Sequence, residues 1–419
     1  MNGVKKMFKN YSKGFYPNQN KYNFTKNKPN IQNESKQVQK PFNTANLYGK
    51  LQYIKTIEEH TQPINNIISL DNLKYLTSDN NEFYIRTLEN NENLKENFGK
   101  DSKINKIIYS SGKIIFSVEY FDKINGKDEK GISHKLNLAI YINNKIQLFS
   151  CIINDNPNEI LESDNVIIIA GKSNLELFQF NQNNNNNQIL KVSEIKINNN
   201  ENNDYQILSM KLFGKSLICG HSSGHISFWK PINDNPYLEN ISISRIHIGP
   251  INDIIFDKNS DNIDILISCS SDKTLKVHSI EDTICFNVID FEEEAIAIKK
   301  VFNSDNAPFY IISLKNGILK VFNALFKEIF EIPSRSNTNT IRFVININNS
   351  NNNNENTNKE NYLLISEENK IDIYKWNKKE EKEEEKKVEI NKSYEKNQNS
   401  YYNKKFYGKK WNNKSNFYY

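Results

Sequence analysis

A nine-residue segment occurs twice in this chain, and its two copies lie far apart. HTQPINNII at residues 60–68 returns as HIGPINDII at residues 247–255, with the same spacing of histidine, proline and strand-forming residues. Each copy is followed by a second apolar strand, a polar turn and a third strand, which reads FYIRTL or TLKVHSI. Such a unit cannot bury its apolar face alone, so several copies must stack against one another.

The third strand of this unit recurs along the chain. Its other variants are LAIYI, LELFQF, ISFWK, ILKVFN and IDIYKW. The equivalent position in the seven strands is held by Arg86, Tyr141, Phe178, Trp229, His278, Phe322 and Tyr374. The longer spacings contain insertions, namely a charged loop at 122–134 and Asn-rich stretches at 181–203 and 346–361. Without them the period approaches the length of a four-stranded propeller blade, about 40–45 residues.

This period predicts an all-β fold, a seven-bladed β-propeller of four-stranded antiparallel blades that spans residues 47–376. No convincing 3.6-residue apolar pattern interrupts the region. The strand LQYIKTI at 51–57 precedes the first full unit, and we expect it to complete the last blade and close the ring. Closure would remove exposed sheet edges that invite aggregation.

The segment ISCSSDKTLKVHSI at 267–280 resembles the core of a WD repeat. That family places serine four residues before aspartate and an aromatic residue six after it, and Ser268, Asp272 and His278 have this spacing. His247 stands where the family has the histidine of its Gly-His pair. The resemblance implies a hydrogen-bonded tetrad inside the blade, in which His278 replaces the family's tryptophan.

Other units depart from the family pattern. Ser223, Asn316 and Asn80 replace the aspartate, and only Trp229 keeps the tryptophan. The strand order and the ending IDIYKW are similar to the propeller of proteins that join CCCH zinc fingers to WD repeats. The zinc finger is absent, because all four cysteines lie inside the propeller region, and its RNA-binding role is therefore not implied.

Charge divides the chain into three parts. Residues 1–46 hold nine lysines and one glutamate without sustained periodicity, which predicts a disordered basic arm. Residues 377–419 are predicted to be a second disordered arm, made of a charged spacer and a basic aromatic tail, and residues 47–376 are net acidic. No signal peptide is recognisable, and the longest apolar run, VIIIA at 166–170, is too short to span a bilayer. We expect an intracellular protein, cytoplasmic or nuclear, without a membrane partner.

Two motifs suggest chemistry but have simpler interpretations. GHSSG at 220–224 matches the G-x-S-x-G nucleophile elbow, yet a strand pattern follows it where the elbow requires a helix. Cys219, His221 and His225 lack the fourth ligand that a structural zinc site usually needs. A hairpin that carries a packed cysteine and a surface histidine accounts for these residues better.

The chain is predicted to be non-catalytic. Ser268, Asp272 and His278 superficially offer a triad, but tetrad residues are buried between strands, whereas a catalytic serine is exposed beside an oxyanion hole. Phosphate-binding loops and dinucleotide fingerprints do not occur. We therefore expect no cofactor, no metal and no small-molecule substrate. Buried, reduced thiols are expected for the four cysteines, Cys151, Cys219, Cys269 and Cys285.

The favoured function is a protein-interaction scaffold or adaptor. A rigid ring would present blade loops and the mouth of its central channel to partner proteins. The clearest candidate contacts are in the loops before the first strands of two units, at His60 and Pro63 and at His247 and Pro250.

The tail at 399–419 supports an alternative hypothesis, an adaptor that binds RNA or ribonucleoprotein. It interleaves eight aromatic residues with five lysines and contains no acidic residue. Lysines neutralise phosphates, and aromatic rings stack on unpaired bases. The candidate RNA contacts are Tyr401, Tyr402, Lys404, Lys405, Phe406, Tyr407, Lys409, Lys410 and Trp411. Biased composition would also produce such a tail, as would docking of its aromatic residues on the acidic propeller or on a partner protein.

Overall fold

The computed structural model describes residues 51–376 with short gaps, and this part of the chain is built from strands. The gaps are 59, 71–72, 89–92, 124–129, 143–144, 173, 184–185, 198–204, 232–237, 260, 282–283, 304–306, 335–343 and 349–360. The predicted arms at 1–46 and 377–419 lie outside the described residues. No helix in the described ranges is long and apolar enough to cross a membrane.

Seven four-stranded antiparallel sheets form the blades of a β-propeller, as the repeat predicts. Six blades use four consecutive strands each, and blade 7 takes its fourth strand from the start of the described chain.

The strand bounds follow in chain order. Blade 1 contains β2 (Asn66–Ser69), β3 (Lys74–Ser78), β4 (Glu82–Thr87) and β5 (Asn93–Asn97). Blade 2 contains β6 (Ser102–Ser110), β7 (Lys113–Lys123), β8 (Lys130–Ile142) and β9 (Lys145–Ile153). Blade 3 contains β10 (Glu159–Ser163), β11 (Val166–Ala170), β12 (Asn174–Asn183) and β13 (Asn186–Lys196). Blade 4 contains β14 (Ile207–Phe213), β15 (Ser216–His221), β16 (His225–Pro231) and β17 (Leu238–Arg245).

The remaining blades complete the circle. Blade 5 contains β18 (Ile251–Lys258), β19 (Asp264–Ser270), β20 (Thr274–Ser279) and β21 (Cys285–Asp290). Blade 6 contains β22 (Ala295–Phe302), β23 (Pro308–Leu314), β24 (Leu319–Asn323) and β25 (Glu328–Ile332). Blade 7 contains β26 (Val344–Asn348), β27 (Asn361–Glu367), β28 (Lys370–Trp376) and β1 (Leu51–Glu58).

Repeated β-bulges show that the blades are equivalent in register. In blades 3 to 6 the pairing of the third and fourth strands shifts immediately before the position predicted as equivalent, at Phe178, Trp229, His278 and Phe322. All seven predicted positions lie on the third strands of their blades. The sequence alignment of third strands is therefore confirmed.

Two of the predicted insertions are largely strand. The stretch at 122–134 continues the β7–β8 hairpin, in which Lys123 pairs with Lys130. The Asn-rich stretch from 181 onwards continues β12 into β13, as far as the pairing of Asn183 with Asn186. The prediction of a loop is wrong for residues 122–123 and 130–134, which pair as strand, and residues 124–129 lie outside the described residues.

Apolar contacts join neighbouring blades. Each of the seven core clusters in the described residues draws side chains from two consecutive blades. The cluster between blades 1 and 2, for instance, contains Leu76 and Phe83 from the first and Ile104 and Phe116 from the second. Each first strand also contacts the first strand of the next blade, which places these strands innermost around a central channel.

The strand β1 closes the ring, as the sequence predicts. It pairs antiparallel with β28, where Leu51 lies opposite Trp376. Leu51 is buried in the cluster between blades 6 and 7. The hydroxyl of Thr56 donates to Asp372 Oδ1 at 2.6 Å, which adds a polar contact to the same pairing.

Two truncations test this closure. Removal of residues 1–46 keeps β1 and should leave a single cooperative unfolding transition. Removal of residues 1–58 deletes β1, exposes the edge of β28 and uncovers the cluster around Trp376, so we expect a lower unfolding midpoint and aggregation. Urea unfolding followed by circular dichroism distinguishes the two variants. Equal midpoints would show that β1 does not hold the ring closed.

Candidate interaction site

In blade 5, three polar side chains from separate elements meet inside the sheet. His247, in the loop before β18, has Nδ1 at 3.0 Å from Asp272 Oδ2 and Nε2 at 2.8 Å from Ser268 Oγ. A carboxylate only accepts hydrogen bonds, so Nδ1–H donates to Asp272 and Nε2 accepts the hydroxyl proton of Ser268. The residues singled out by their spacing thus form a buried network, here called the His247 network.

The side chain of His278, on β20, is also buried. It lies close enough to His247 that a positive charge on His278 would lower the pKa of His247. Ser268 is completely buried, so its hydroxyl is closed to a substrate. The hydrogen bond predicted from His278 into the network stays a prediction.

Burial sets the charge states of this network. It lowers the pKa of His247 to about 4 in spite of the neighbouring carboxylate of Asp272, so the imidazole is neutral near pH 7. Burial alone would raise the pKa of Asp272, but hydrogen bonds from Thr274, from the backbone N–H of Ile248 and from His247 lower it to about 2. The network is therefore a neutral histidine that donates to an ionised carboxylate.

Blade 1 builds a related network with different spacing. His60 Nδ1 lies 3.1 Å from Asp79 Oδ2, and His60 Nε2 lies 2.9 Å from Thr77 Oγ1. The guanidinium of Arg86, at the tryptophan-equivalent position, donates to the same Thr77 hydroxyl. The prediction that Asn80 replaces the aspartate was wrong, because the acid is one residue earlier. The last paired residues of the β3–β4 hairpin, Ser78 and Phe83, enclose four residues, whereas Cys269 and Leu275 in blade 5 enclose five, so the acid does not keep the same spacing.

In blade 4, the hydrogen-bond partner of the tryptophan lies on a different strand. Trp229 Nε1–H donates to Ser227 Oγ at 2.8 Å, and His221 Nε2 lies 2.6 Å from the same oxygen. Burial lowers the pKa of His221 to about 4, so this histidine is also neutral near pH 7. The sequence pattern did not indicate Ser227, since it lies on the third strand and not on the second.

The two glycines of GHSSG have packing roles. A Cβ on Gly220 would lie 2.6 Å from Ser209 Oγ and 2.7 Å from Ile251 Cγ2. Gly224 has a φ of +77°, and a Cβ there would lie 2.3 Å from the carbonyl oxygen of His247. Ser222 lies in the turn between these glycines, where its Oγ accepts the backbone N–H of Gln206 at 3.1 Å. A strand follows the motif, as expected, so the helix of a nucleophile elbow is missing here.

The loop after β17 presents an exposed isoleucine on a rigid backbone. The Ile248 side chain is 82% exposed, whereas its backbone N–H donates to Asp272 Oδ2 at 3.0 Å. Its carbonyl accepts from Arg245 Nη2 at 3.1 Å. The carbonyl of Gly224, in blade 4, accepts the backbone N–H groups of Ile246 and His247 at 3.1 Å each. The His247 network and the preceding blade therefore fix the loop from which Ile248 projects.

The predicted partner contacts divide by exposure. His60 and His247 are buried and hydrogen-bonded inside their blades, which leaves no side-chain surface for a partner. Pro63 is exposed and Pro250 is half-buried, so both stay in the proposal. Ile248, which the sequence did not single out, is the most exposed apolar side chain among the described residues of these loops.

The described part of the chain contains no group of three or more side chains arranged to hold a metal ion. Cys219 and Cys269 are buried, and burial raises the pKa of both thiols, as it raises that of half-buried Cys151 to about 12. Cys285 is exposed at the start of β21, so the expectation of four buried thiols was wrong for this residue. Plain alternation would group Cys285 with half-buried Asn287 and Ile289, but the bulge next to it in the pairing with β20 shifts its phase.

Charges of alternating sign lie on five consecutive innermost strands. They are Lys106, Glu159, Lys211, Asp253 and Lys299. Lys106 Nζ lies 3.3 Å from Glu159 Oε2, and Lys299 Nζ lies 3.8 Å from Asp253 Oδ2. Burial alone would lower the pKa of Lys211. The carboxylates of Glu159 and Asp253 on either side raise this pKa by more than burial lowers it, so the net shift is upward. Attraction between these oppositely charged side chains therefore stabilises the contacts between neighbouring blades from blade 2 to blade 6.

Residues on the innermost strands of blades 1, 2, 6 and 7 line an open cavity of about 470 Å³. Its lining is mainly aliphatic and aromatic, and its charged members are Lys299 and Lys300. Lys300 Nζ is paired with Asp257 Oδ1 at 2.6 Å. The cavity is therefore an apolar part of the channel beside the charged strands. The candidate RNA contacts at 401–411 lie outside the described residues.

The pH dependence of stability tests the charge state of His247. Its pKa falls on folding from about 6.5 to about 4, so the unfolded chain binds the proton more tightly and stability drops as pH falls through this window. We expect each of His247 and His221 to remove about 1–2 kcal/mol of unfolding free energy between pH 7 and pH 5. His247→Ala should shrink this loss, as measured by urea unfolding at both pH values.

Ser268→Ala is the matched control for that measurement. It removes one hydrogen bond of the network but keeps the histidine, so it should lower stability at both pH values and preserve the difference between them. An unchanged pH dependence in His247→Ala would mean that His247 does not titrate as a buried neutral group. Asp272 adds a separate loss only below about pH 4, because its low pKa stabilises the fold until pH falls toward 2.

Comparisons with known proteins agree on the architecture. No family model matches the chain, and no curated protein matches its sequence. The WD40 β-propeller domain of Doa1 superposes with a TM-score of 0.51 at 13% identity, over 77% of this chain and 96% of that one. Sqt1 of Saccharomyces cerevisiae gives 0.54 at 11% identity, over 78% and 99%. Raptor of Chaetomium thermophilum gives 0.52 at 11%, over 79% of this chain and 30% of its own. With seven closed blades and these superpositions, the chain has the fold of the WD40 β-propellers.

Proposed function

We propose that the chain is a non-catalytic protein-interaction scaffold that uses the loop face around Ile248. The observation that carries the proposal is an apolar side chain, 82% exposed, on a backbone held by hydrogen bonds at both its N–H and its carbonyl. A residue of this kind loses little conformational freedom when it enters a pocket of a partner. The likeness to solved WD40 propellers supports the scaffold at the level of the fold alone.

The surroundings of Ile248 add to the argument. Arg245 lies beside the loop, and its guanidinium donates to the carbonyls of His247 and Ile248, so a hydrogen-bond donor and an apolar anchor occupy one patch. Arginine is one of the residues that are enriched at interface hot spots. The partner that fits is a protein with an apolar pocket whose rim carries an acidic group.

Ile248→Asp tests this patch. It places a charge where an apolar pocket would close, and since the side chain is exposed, the fold should be unaffected. We expect proteins recovered by affinity purification with the unaltered chain to be lost with this variant, as quantified by mass spectrometry.

The control variant is Leu325→Asp. Leu325 is 75% exposed in the turn between β24 and β25, at the opposite end of the strands from Ile248. Partners should survive this substitution. If both variants kept the same partners, the loop around Ile248 would not be the contact surface and the proposal would fail.

The RNA hypothesis rests on the sequence of the tail. Eight aromatic residues among five lysines would give a sequence-tolerant, salt-dependent affinity for single strands. Removal of residues 391–419 should then weaken binding to single-stranded RNA and flatten its dependence on salt in a fluorescence anisotropy titration. Equal and weak affinity with and without these residues would sink the RNA hypothesis and leave the scaffold proposal untouched.

A further inference from the structure

The outer strand of blade 4 exposes two isoleucines on one face. β17, with the sequence LENISISR, is the edge strand of its sheet, and only β16 pairs with it among the described residues. Its residues alternate between partly buried and exposed, which leaves Glu239, Ile241, Ile243 and Arg245 outward. The two isoleucines are 51% and 55% exposed. An outer backbone edge, interrupted by the bulge at Ile241, and an apolar stripe therefore coincide on one strand.

Edge strands of natural sheets are normally protected, often by lysine. The outer strands of blades 1 and 3 follow this rule, since Lys95 lies on β5 and Lys191 and Lys196 lie on β13. Three outer strands, β17, β21 and β25, contain no lysine. What distinguishes β17 is the arrangement of its charges. Its charged side chains stand only at the two ends of the exposed stripe and have opposite signs.

The exposed stripe is complementary to itself. When two copies of β17 run antiparallel with Ser242 opposite Ser242, Ile241 of one copy lies opposite Ile243 of the other. In the same register Glu239 of one copy lies opposite Arg245 of the other, at both ends. Directly opposite side chains in an antiparallel pair lie on the same face of the sheet and in contact. A two-fold axis through Ser242 generates all four pairs, as an isologous interface requires.

We propose that the chain forms a two-fold homodimer by antiparallel pairing of β17, which joins blade 4 of each copy into one eight-stranded sheet. Backbone hydrogen bonds supply the pairing, the four isoleucines form a central apolar strip, and the two Glu239–Arg245 pairs fix the register. Arg245 already donates through Nε and Nη2 to the carbonyls of His247 and Ile248. Its guanidinium has further N–H groups for a carboxylate, and the loop bonds hold it in position.

The size of this contact sets the expected affinity. Two eight-residue strands bury an area near the low end for specific interfaces, below about 1,200 Å². The dimer should therefore be reversible and dependent on protein concentration. The dimer shares Arg245 with the patch proposed for partner binding, but its readout is oligomeric state and not recovery of a partner, so the two proposals can fail separately.

Sedimentation velocity of the full chain over a wide concentration range is the first test. The unaltered chain should shift from monomer to dimer as concentration rises. Glu239→Arg places arginine opposite arginine at both ends of the contact, and Arg245→Glu places glutamate opposite glutamate, so each variant alone should be monomeric where the unaltered chain is dimeric.

Mixing the two single variants gives the decisive result. In the mixed pair, the arginine introduced by Glu239→Arg lies opposite the glutamate introduced by Arg245→Glu. At the other end, the unaltered Arg245 of the first variant lies opposite the unaltered Glu239 of the second, so a heterodimer should form although neither variant dimerises alone. The double variant Glu239→Arg/Arg245→Glu should recover the homodimer for the same reason. Recovery in both cases supports this register of β17 against any general effect of charge.

Leu148→Lys on β9 is the matched control. Leu148 is 45% exposed on the edge strand of blade 2, and its substitution should leave the dimer unchanged. The proposal is overturned if the unaltered chain is monomeric at every concentration or if its dimer is insensitive to the charge variants. Cross-links from residues 377–419 to β17 of the same chain would also overturn it, since the tail would then cover this edge.

Discussion

The pairing of β1 with β28 is the constraint on which the other contacts of the ring depend. Each apolar cluster is shared by two consecutive blades, so an open ring would leave the outer faces of its terminal blades uncovered. The junction joins Leu51 to Trp376 across the pairing and sets Ile64 N–H, in blade 1, at 2.7 Å from the carbonyl of Glu368, in blade 7. A short segment near the start of the propeller thereby determines whether the remote end can pack.

A closed stack of sheets also has to satisfy the polar groups that it buries. Blades 1, 4 and 5 each place a histidine between strands with a hydroxyl partner. Thr77 and Ser268 hold equivalent positions on the second strands of blades 1 and 5, whereas Ser227 lies on the third strand of blade 4. The carbonyl of His60 accepts from Asn369 of blade 7 at 3.1 Å, and the N–H of His247 donates to Gly224 of blade 4. Neighbouring blades therefore fix one another's loops, so a unit can lose its consensus residues and remain ordered.

Periodicity predicted the fold because it samples many residues at once. The third strands, the blade number and the closing strand follow from apolar patterns that survive any single substitution. Single polar contacts do not average in this way. The hairpin of blade 1 is one residue shorter between its last paired residues than that of blade 5, and the acid that bonds to the histidine is Asp79 and not Asn80. Trp229 donates to Ser227, which lies on the third strand, whereas the family pattern places the serine on the second strand. Solvent exposure was the property that the sequence predicted least well. The sequence identified the loop of His247 but not the exposure of Ile248, because the burial of His247 and the exposure of Ile248 both depend on the neighbouring blade.

Hydrogen bonds link the His247 network of blade 5 to the exposed loop of Ile248 and to the edge strand of blade 4. Asp272 accepts both from His247, inside the sheet, and from the backbone of Ile248, at the surface. Arg245 belongs to the edge strand β17 and holds the carbonyls of the same loop. Loss of the ionised Asp272 would release the loop at its N–H, and loss of Arg245 would release it at its carbonyl. Hydrogen bonds through His247 and Asp272 therefore connect the buried hydroxyl of Ser268 with the loop of Ile248, and Arg245 connects this loop with β17.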